Sequence, residues 1–377
     1  MRATSHPVAV WLLALVFVGV ADVAITHTRV LWGPTAFEHT RDLRHVVFAQ
    51  TYQAARAIYA DDDPRPSVVL LGNSRVWLGA RERLVQEALD RRLGAPAVRV
   101  HNLGIFGAGL GDQEMLVRHL PRMAPRLAVV TLAGTDLLVT GTTPLAGVPA
   151  QLMRTGWTDG PLAAPGTAAR LDRVTRMMWP LWRFREFARA AIDERVVGSP
   201  AAEPFPDRFA DTRALFRWVH GAEEGDAVER LYESWKTERT LARWTAYLEV
   251  GSAGHLSLVR ERVRSGGSPE QDGLAARCLD AALDRLARAG IATVVVLMPE
   301  NPVLAADAGN EFHRPGVSDA AAALVTTIAE RHAARVVDAR GWMPVEAFVD
   351  YDHLFPDLSG FQEPLADEIA YAIRGRV

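Results

Sequence analysis

Val68 to Leu71 is a short, wholly apolar, β-favouring run that stops at Gly72-Asn73. Such a run is expected of a strand buried on both faces of a parallel sheet. Leu127 to Ala133 and Ile291 to Met298 repeat the pattern, and Val98 to Asn102 and Arg335 to Asp338 are shorter strands. Helical stretches alternate with them: Glu82 to Leu93, Asp112 to Met123, Leu274 to Ala289, Asp319 to Arg331 and Ser359 to Ile373. Gly94 with Pro96 closes the first of these, Gly290 closes the third, and Ser359 with Gln362 has capping-box spacing for the last. This alternation constrains the chain to an α/β architecture, a parallel sheet with helices on both faces.

The alternation lapses over residues 144–270. That stretch lacks a strand succession and holds Trp157, Trp179, Trp182, Trp218, Trp235 and Trp244, six of the ten tryptophans. Helices are expected over 167–195, 211–219 and 225–248, so it reads as a helical insertion whose aromatics pack its own core. The α/β domain is therefore split into 67–143 and 271–377. Residues 27–66 form a connector, with helical pattern between Glu38 and Ala60 and a break from Asp61 to Pro66.

Residues 8–26 are the one membrane-length apolar segment, close to the about 20 residues that span a bilayer. Residues 1–7, with Arg2, precede it as a cytoplasmic n-region, which places the remainder of the chain outside the membrane. Gly19-Val20-Ala21 also fits a cleavage site, so a signal peptide is the alternative to an anchor. A net charge of −3 offers no footprint for nucleic acid. The single cysteine, Cys278, excludes an intramolecular disulfide and a multi-cysteine metal site, and its helical setting reads as a buried, inert thiol. Gly104 to Gly111 is not followed by a lysine in P-loop spacing, and no metal or cofactor is expected.

The chemistry gathers where strands end, because a parallel sheet brings those ends to one rim. Ser74 follows the first strand, Asn102 to Gly107 the second, and Gly134-Thr135-Asp136 the third, while Asp350-Tyr351-Asp352-His353 precedes the last helix. Taken alone, Ser74 reads more readily as a turn serine or helix cap than as a nucleophile. As a nucleophile it needs a positioned base, which His353 supplies, and a carboxylate to hold the imidazole tautomer, for which Asp350 has the better spacing and Asp352 the worse. The Ser74 amide, the Gly107 N–H and the Thr135 hydroxyl are the candidate oxyanion donors. Asp136 reads as a loop-stabilising acceptor, and Glu300 and Asn301 as loop residues rather than site residues.

These blocks resemble the SGNH (GDSL-like) hydrolase superfamily over about residues 67–136 and 290–375. Gly72-Asn73-Ser74-Arg75 is similar to its Ser block, Asn102 to Gly107 to its Gly block, Ala133 to Asp136 to its Gly-x-Asn-Asp block, and Asp350-x-x-His353 to its Asp-x-x-His block. The resemblance implies a flavodoxin-like three-layer sandwich, with Ser74, His353 and Asp350 catalytic and Gly107 and Thr135 at the oxyanion hole. Asn73 stands where the family usually has Asp. Thr135 stands where it usually has Asn, so either a hydroxyl replaces the amide donor or that donor is absent.

With the apolar segment, the resemblance points to anchored relatives such as the D-alanyl transfer and alginate O-acetylation proteins. It implies a membrane-tethered, extracytoplasmic esterase or O-acyltransferase, periplasmic or at the cell surface, acting on an acylated glycan or lipid beside a membrane-bound O-acyltransferase. A water-using esterase and a non-catalytic scaffold are the rival expectations.

Overall fold

The computed structural model describes residues 13–14, 16–21, 43–138, 222–238, 273–302, 316–348, 353–355 and 360–375. Its centre is a five-stranded parallel sheet: β1 (Ser67–Leu71), β2 (Arg99–Asn102), β3 (Leu127–Leu132), β4 (Ala292–Leu297) and β5 (Arg335–Asp338), in the order β2-β1-β3-β4-β5. In register, Val69 lies beside His101 of β2 and Ala128 of β3, and Ala128 lies beside Thr293 of β4. This is the flavodoxin-like order of doubly wound sheets, in which the connections leaving β1 and β3 diverge and open a crevice between them.

Nine helices surround the sheet among the described residues: α1 (Leu43–Ala60), α2 (Ser74–Gly79), α3 (Glu82–Leu93), α4 (Leu110–Val117), α5 (Leu120–Met123), α6 (Ala222–Glu238), α7 (Leu274–Arg288), α8 (Val317–Arg331) and α9 (Gln362–Arg374). Strand alternation sorts the core into two clusters. Val69, Leu71, Ala128, Val130 and Val295 pack with α1, α4, α7 and α8 on one face. Val68, Leu70, Val129, Val294 and Val296 pack with α3 and α9 on the other. Both faces of β1 and β3 are covered, which is why their residues are apolar but for Ser67 and Thr131. Each fully buried Val or Leu contributes about 1.5–3 kcal/mol.

Local signals account for individual elements. In α3 the buried Val85, Ala88 and Leu89 form one stripe, Glu82 opens the first turn, Arg91 and Arg92 close the last, and Gly94 takes the left-handed cap (φ 75°). The stretch Asp112 to Met123, expected as one helix, is instead α4 and α5. Pro121 has no N–H to continue the ladder and its ring crowds the carbonyl four residues back, at Val117, where α4 ends. The last helix begins at Gln362, after Gly360 (φ 67°), later than the Ser359 start expected; Ser359 lies outside the described residues. Gln362 Nε2 donates to the Gly79 carbonyl at 3.0 Å, and the capping box expected of Ser359 and Gln362 lies outside the described residues.

Helix α6 falls within the insertion, over part of the expected 225–248 helix. The helices expected over 167–195 and 211–219 lie outside the described residues, as do Trp157, Trp179, Trp182, Trp218 and Trp244. In the apolar N-terminal segment, residues 13–14 and 16–21 are helical, with Leu13, Val16, Phe17, Val18 and Val20 exposed. Among the described residues no helix is long and apolar enough to cross a membrane. Cys278 is buried on α7, and that burial pushes its thiol up to about 12, so it stays protonated near neutrality.

Candidate active site

The turn after β1 is shaped by steric necessity. A Cβ on Gly72 would sit 2.1 Å from Thr131 Oγ1 and 2.7 Å from Val76 Cγ1, so only glycine passes between β3 and α2. Thr131 is fixed there by donating its hydroxyl to the Leu71 carbonyl at 2.8 Å. Asn73 then caps α2, its Oδ1 accepting from the Arg75 N–H at 3.0 Å. Ser74 is thereby the first residue of α2, at the carboxyl edge of the sheet and 8 % exposed.

His353 reaches this serine from 279 positions along the chain: its Nε2 is 2.7 Å from Ser74 Oγ. At that distance the hydroxyl donates to Nε2 when the imidazole carries its proton on Nδ1. The imidazole is 3 % exposed and lies parallel to the Phe106 ring, centroids 6.5 Å apart. Phe106 is held in turn by its backbone N–H, which donates to Gln50 Oε1 of α1 at 2.7 Å. The next residue, Leu354, packs against Gly79 at the far end of α2, where an added Cβ would come within 3.2 Å of it. Asp350, expected to orient the imidazole, and Asp352 lie outside the described residues.

On the opposite side a buried polar network organises the rim. Arg75 Nη1 donates to both Asp136 oxygens at 3.0 Å, and Arg75 Nη2 donates to Thr135 Oγ1 at 3.0 Å. Asp136 also accepts from the Ala133 N–H at 2.8 Å and from Asn73 Nδ2 at 3.2 Å. Asp136 is thus the loop-organising acceptor expected of it. Asn73 also acquires a reason: an aspartate there would oppose the Asp136 carboxylate instead of donating to it. Thr135 is the half-buried member of the 3₁₀ turn Gly134–Leu138, whose other residues are buried. Because its oxygen accepts from Arg75, its hydroxyl hydrogen is directed elsewhere.

The second turn is tied to α2 as well. Asn102 Nδ2 donates to the carbonyls of Val76 (3.0 Å) and Ala80 (2.8 Å), and its Oδ1 accepts from the Gly104 N–H at 2.9 Å. A Cβ on Gly104 would meet Val76 Cγ1 at 2.7 Å, so this turn rests directly on α2. Gly107 adopts φ 71° in open space, a backbone shape suited to glycine. Among the described residues, no other group is hydrogen-bonded to the backbone N–H of Ser74 or of Gly107.

Ser74, His353, Gly107 and Thr135 therefore share the carboxyl rim of the sheet. Glu300, also on this rim, accepts from the Ser318 hydroxyl, which accepts in turn from Arg340 Nη1 at 2.8 Å, a loop-bracing arrangement. Arg75, Phe106 and Gln50 are members of the site that sequence reasoning does not reach. Arg75 and Phe106 have a local signal in their adjacency to Ser74 and Gly107, whereas Gln50 has none.

No protein-family model matches the sequence, and no curated protein matches it. Among the solved structures that align, a crystal structure does so at 12 % identity over 83 % of this chain and 99 % of its own, with a TM-score of 0.30. A likeness at that level carries no argument about function.

Proposed function

We propose that this chain is an SGNH-like serine esterase or O-acyltransferase, tethered to a membrane and facing its extracytoplasmic side. Its substrates are ester-linked acyl groups of a cell-surface glycan or lipid. The observation that carries the reading is the 2.7 Å contact between Ser74 Oγ and His353 Nε2, at the rim where a doubly wound sheet holds its ligands. Ser74 attacks the ester carbonyl while His353 takes the hydroxyl proton. The tetrahedral intermediate then collapses, the C–O bond to the alcohol breaks, and the imidazolium returns the proton to that alcohol. Water or a sugar hydroxyl, deprotonated by His353, releases the acyl group from Ser74.

The Ser74 and Gly107 N–H groups and the Thr135 hydroxyl are the oxyanion donors in this reading, and Asp350 is the imidazole's orienter. Support for the tether comes from the exposed apolar side chains Leu13, Val16, Phe17, Val18 and Val20. A single such segment does not carry acyl groups across a bilayer, so transfer calls for a multi-span membrane-bound O-acyltransferase as partner.

Fluorophosphonate labelling of the protein tests the reading. Covalent labelling is expected in the wild type, lost in Ser74→Ala and slowed by about 10²–10⁴ in His353→Ala. Labelling that survives Ser74→Ala, or a folded wild type that does not label, overturns it. Acyl-ester turnover with and without added sugar acceptors then separates transfer from hydrolysis.

A further inference from the structure

The insertion touches the segment that carries His353. Tyr232, on α6, places its ring 5.0 Å from that of Phe355 at 65°, an edge-to-face contact, and its hydroxyl donates to the Glu346 carbonyl at 3.2 Å. Phe355 is two residues past His353, and both it and Tyr232 are fully buried. Val228, one turn before Tyr232 on the same face of α6, is buried with it. The two contacts fall on the two sides of one small unit. His353 to Phe355 lies along Ala347-Phe348, joined by an antiparallel bridge between Phe348 and Leu354 and by the Phe355 N–H donating to the Ala347 carbonyl at 2.8 Å. Glu346 belongs to the 3₁₀ turn that precedes this platform. Tyr232 therefore fastens both the platform and the segment resting on it.

Successive side chains of that segment have separate destinations. His353 meets Ser74, Leu354 packs on Gly79 of the nucleophile helix, and Phe355 meets Tyr232. We propose that Tyr232 is a positioning residue for His353, and that the insertion governs how far the base is engaged with the nucleophile. This rests on the assignment of Ser74 and His353 as nucleophile and base. A displacement of about 1 Å between reacting groups is enough to cost about 10²-fold in rate, so a contact two residues away has leverage.

The test measures fluorophosphonate labelling rates of the full chain for Tyr232→Ala, Tyr232→Phe, His353→Ala and the double variant Tyr232→Ala/His353→Ala, with Ser74→Ala beside them. Tyr232→Ala is expected to slow labelling by roughly tenfold or more, and Tyr232→Phe, which keeps the ring, by only a few-fold. In the His353→Ala background the residual rate is expected to be indifferent to Tyr232→Ala. Leu286→Ala, a core truncation on the far face, is expected to lower the melting temperature while sparing the rate.

Wild-type labelling by a folded Tyr232→Ala protein overturns the proposal. So does an equal slowing in the presence and absence of His353, because Tyr232 would then act on the fold as a whole. If Tyr232→Ala does not fold, Tyr232→Leu takes its place under the same criteria. Loss of Ser74 dependence is a different failure: it sinks the nucleophile assignment itself, whereas failure of the Tyr232 role leaves Ser74 dependence intact.

Discussion

The two halves of the candidate site are held by different physics. On the nucleophile side, Gly72, Asn73, Ser74 and Arg75 come from one turn, and their partners Thr135 and Asp136 come from the turn after the neighbouring strand. The geometry there is set by steric exclusion at Gly72 and by a buried ion pair, both anchored to adjacent strands. On the base side, His353 sits on an irregular segment placed by Phe106, Leu354, Phe355 and Tyr232, from elements far apart in the chain. The first half is built as part of the fold. The second is carried by apolar packing outside the sheet, which in the proposed reading makes it the side to loosen first.

The largest expected effect breaks the nucleophile side. Asp136→Ala leaves Arg75 charged and buried without its carboxylate, where the pair's side chains are each 7 % exposed. Removing one partner of such a pair costs about 3–5 kcal/mol, so urea denaturation should reveal a large loss of stability. His353→Ala measured beside it should lose rate and little stability. Comparable stability losses in the two variants would erase the contrast.

Next in size is Thr135→Val, which keeps the shape and removes the hydroxyl. If that hydroxyl faces the oxyanion, acyl-ester turnover should fall by about 10²–10³, with KM little changed. An unchanged kcat would remove Thr135 from the oxyanion hole and leave it a spacer for Arg75.

A smaller effect is expected of Gln50→Leu, which strips the acceptor from the Phe106 N–H. Phe106 is half-buried, so loss of the acceptor should cost less than the about 1–3 kcal/mol of a fully buried donor, and its ring should loosen over the imidazole. Gln50→Glu, which preserves an acceptor oxygen, should restore most of the labelling rate. A rate in Gln50→Leu equal to wild type would detach α1 from the site.

The smallest effect lies at the sheet's edge and acts as a control. Hydrogen bonds from Arg340, foremost its side chain, hold the Asp338 carboxyl below the usual carboxylate range. Its stabilisation is therefore fully present above the unfolded-state value of about 3.9 and fades as pH falls through the lower, folded value. Asp338→Asn should be slightly less stable than wild type at neutral pH, with the gap closing in acid. A gap that widens below about pH 3 would contradict that sign.

Much of the architecture is legible because buried parallel strands must be apolar on both faces. Val68–Leu71, Leu127–Leu132 and Ala292–Leu297 announce themselves in this way, as does α3 with its stripe and Gly94 cap. The break between α4 and α5 escapes a reading by periodicity, although Pro121 marks it, because the apolar pattern runs on through the proline. The hold of Gln362 on the Gly79 carbonyl is not legible, since it joins elements far apart in the chain.

By itself, then, the sequence determined what local physics can decide: which segments are strands, where glycine is required to turn, and that a serine, a glycine turn and a histidine fall at the ends of strands that a parallel sheet must gather on one rim. Tertiary structure alone decided the pairing of Arg75 with Asp136, the seating of Phe106 over His353, the reach of Gln50 and the grip of Tyr232 on the base segment. The reason is that periodicity and turn chemistry act over a few residues, whereas these contacts join groups far apart in the chain. Any of many polar or aromatic residues could have made them, until the packing of the elements left one within reach.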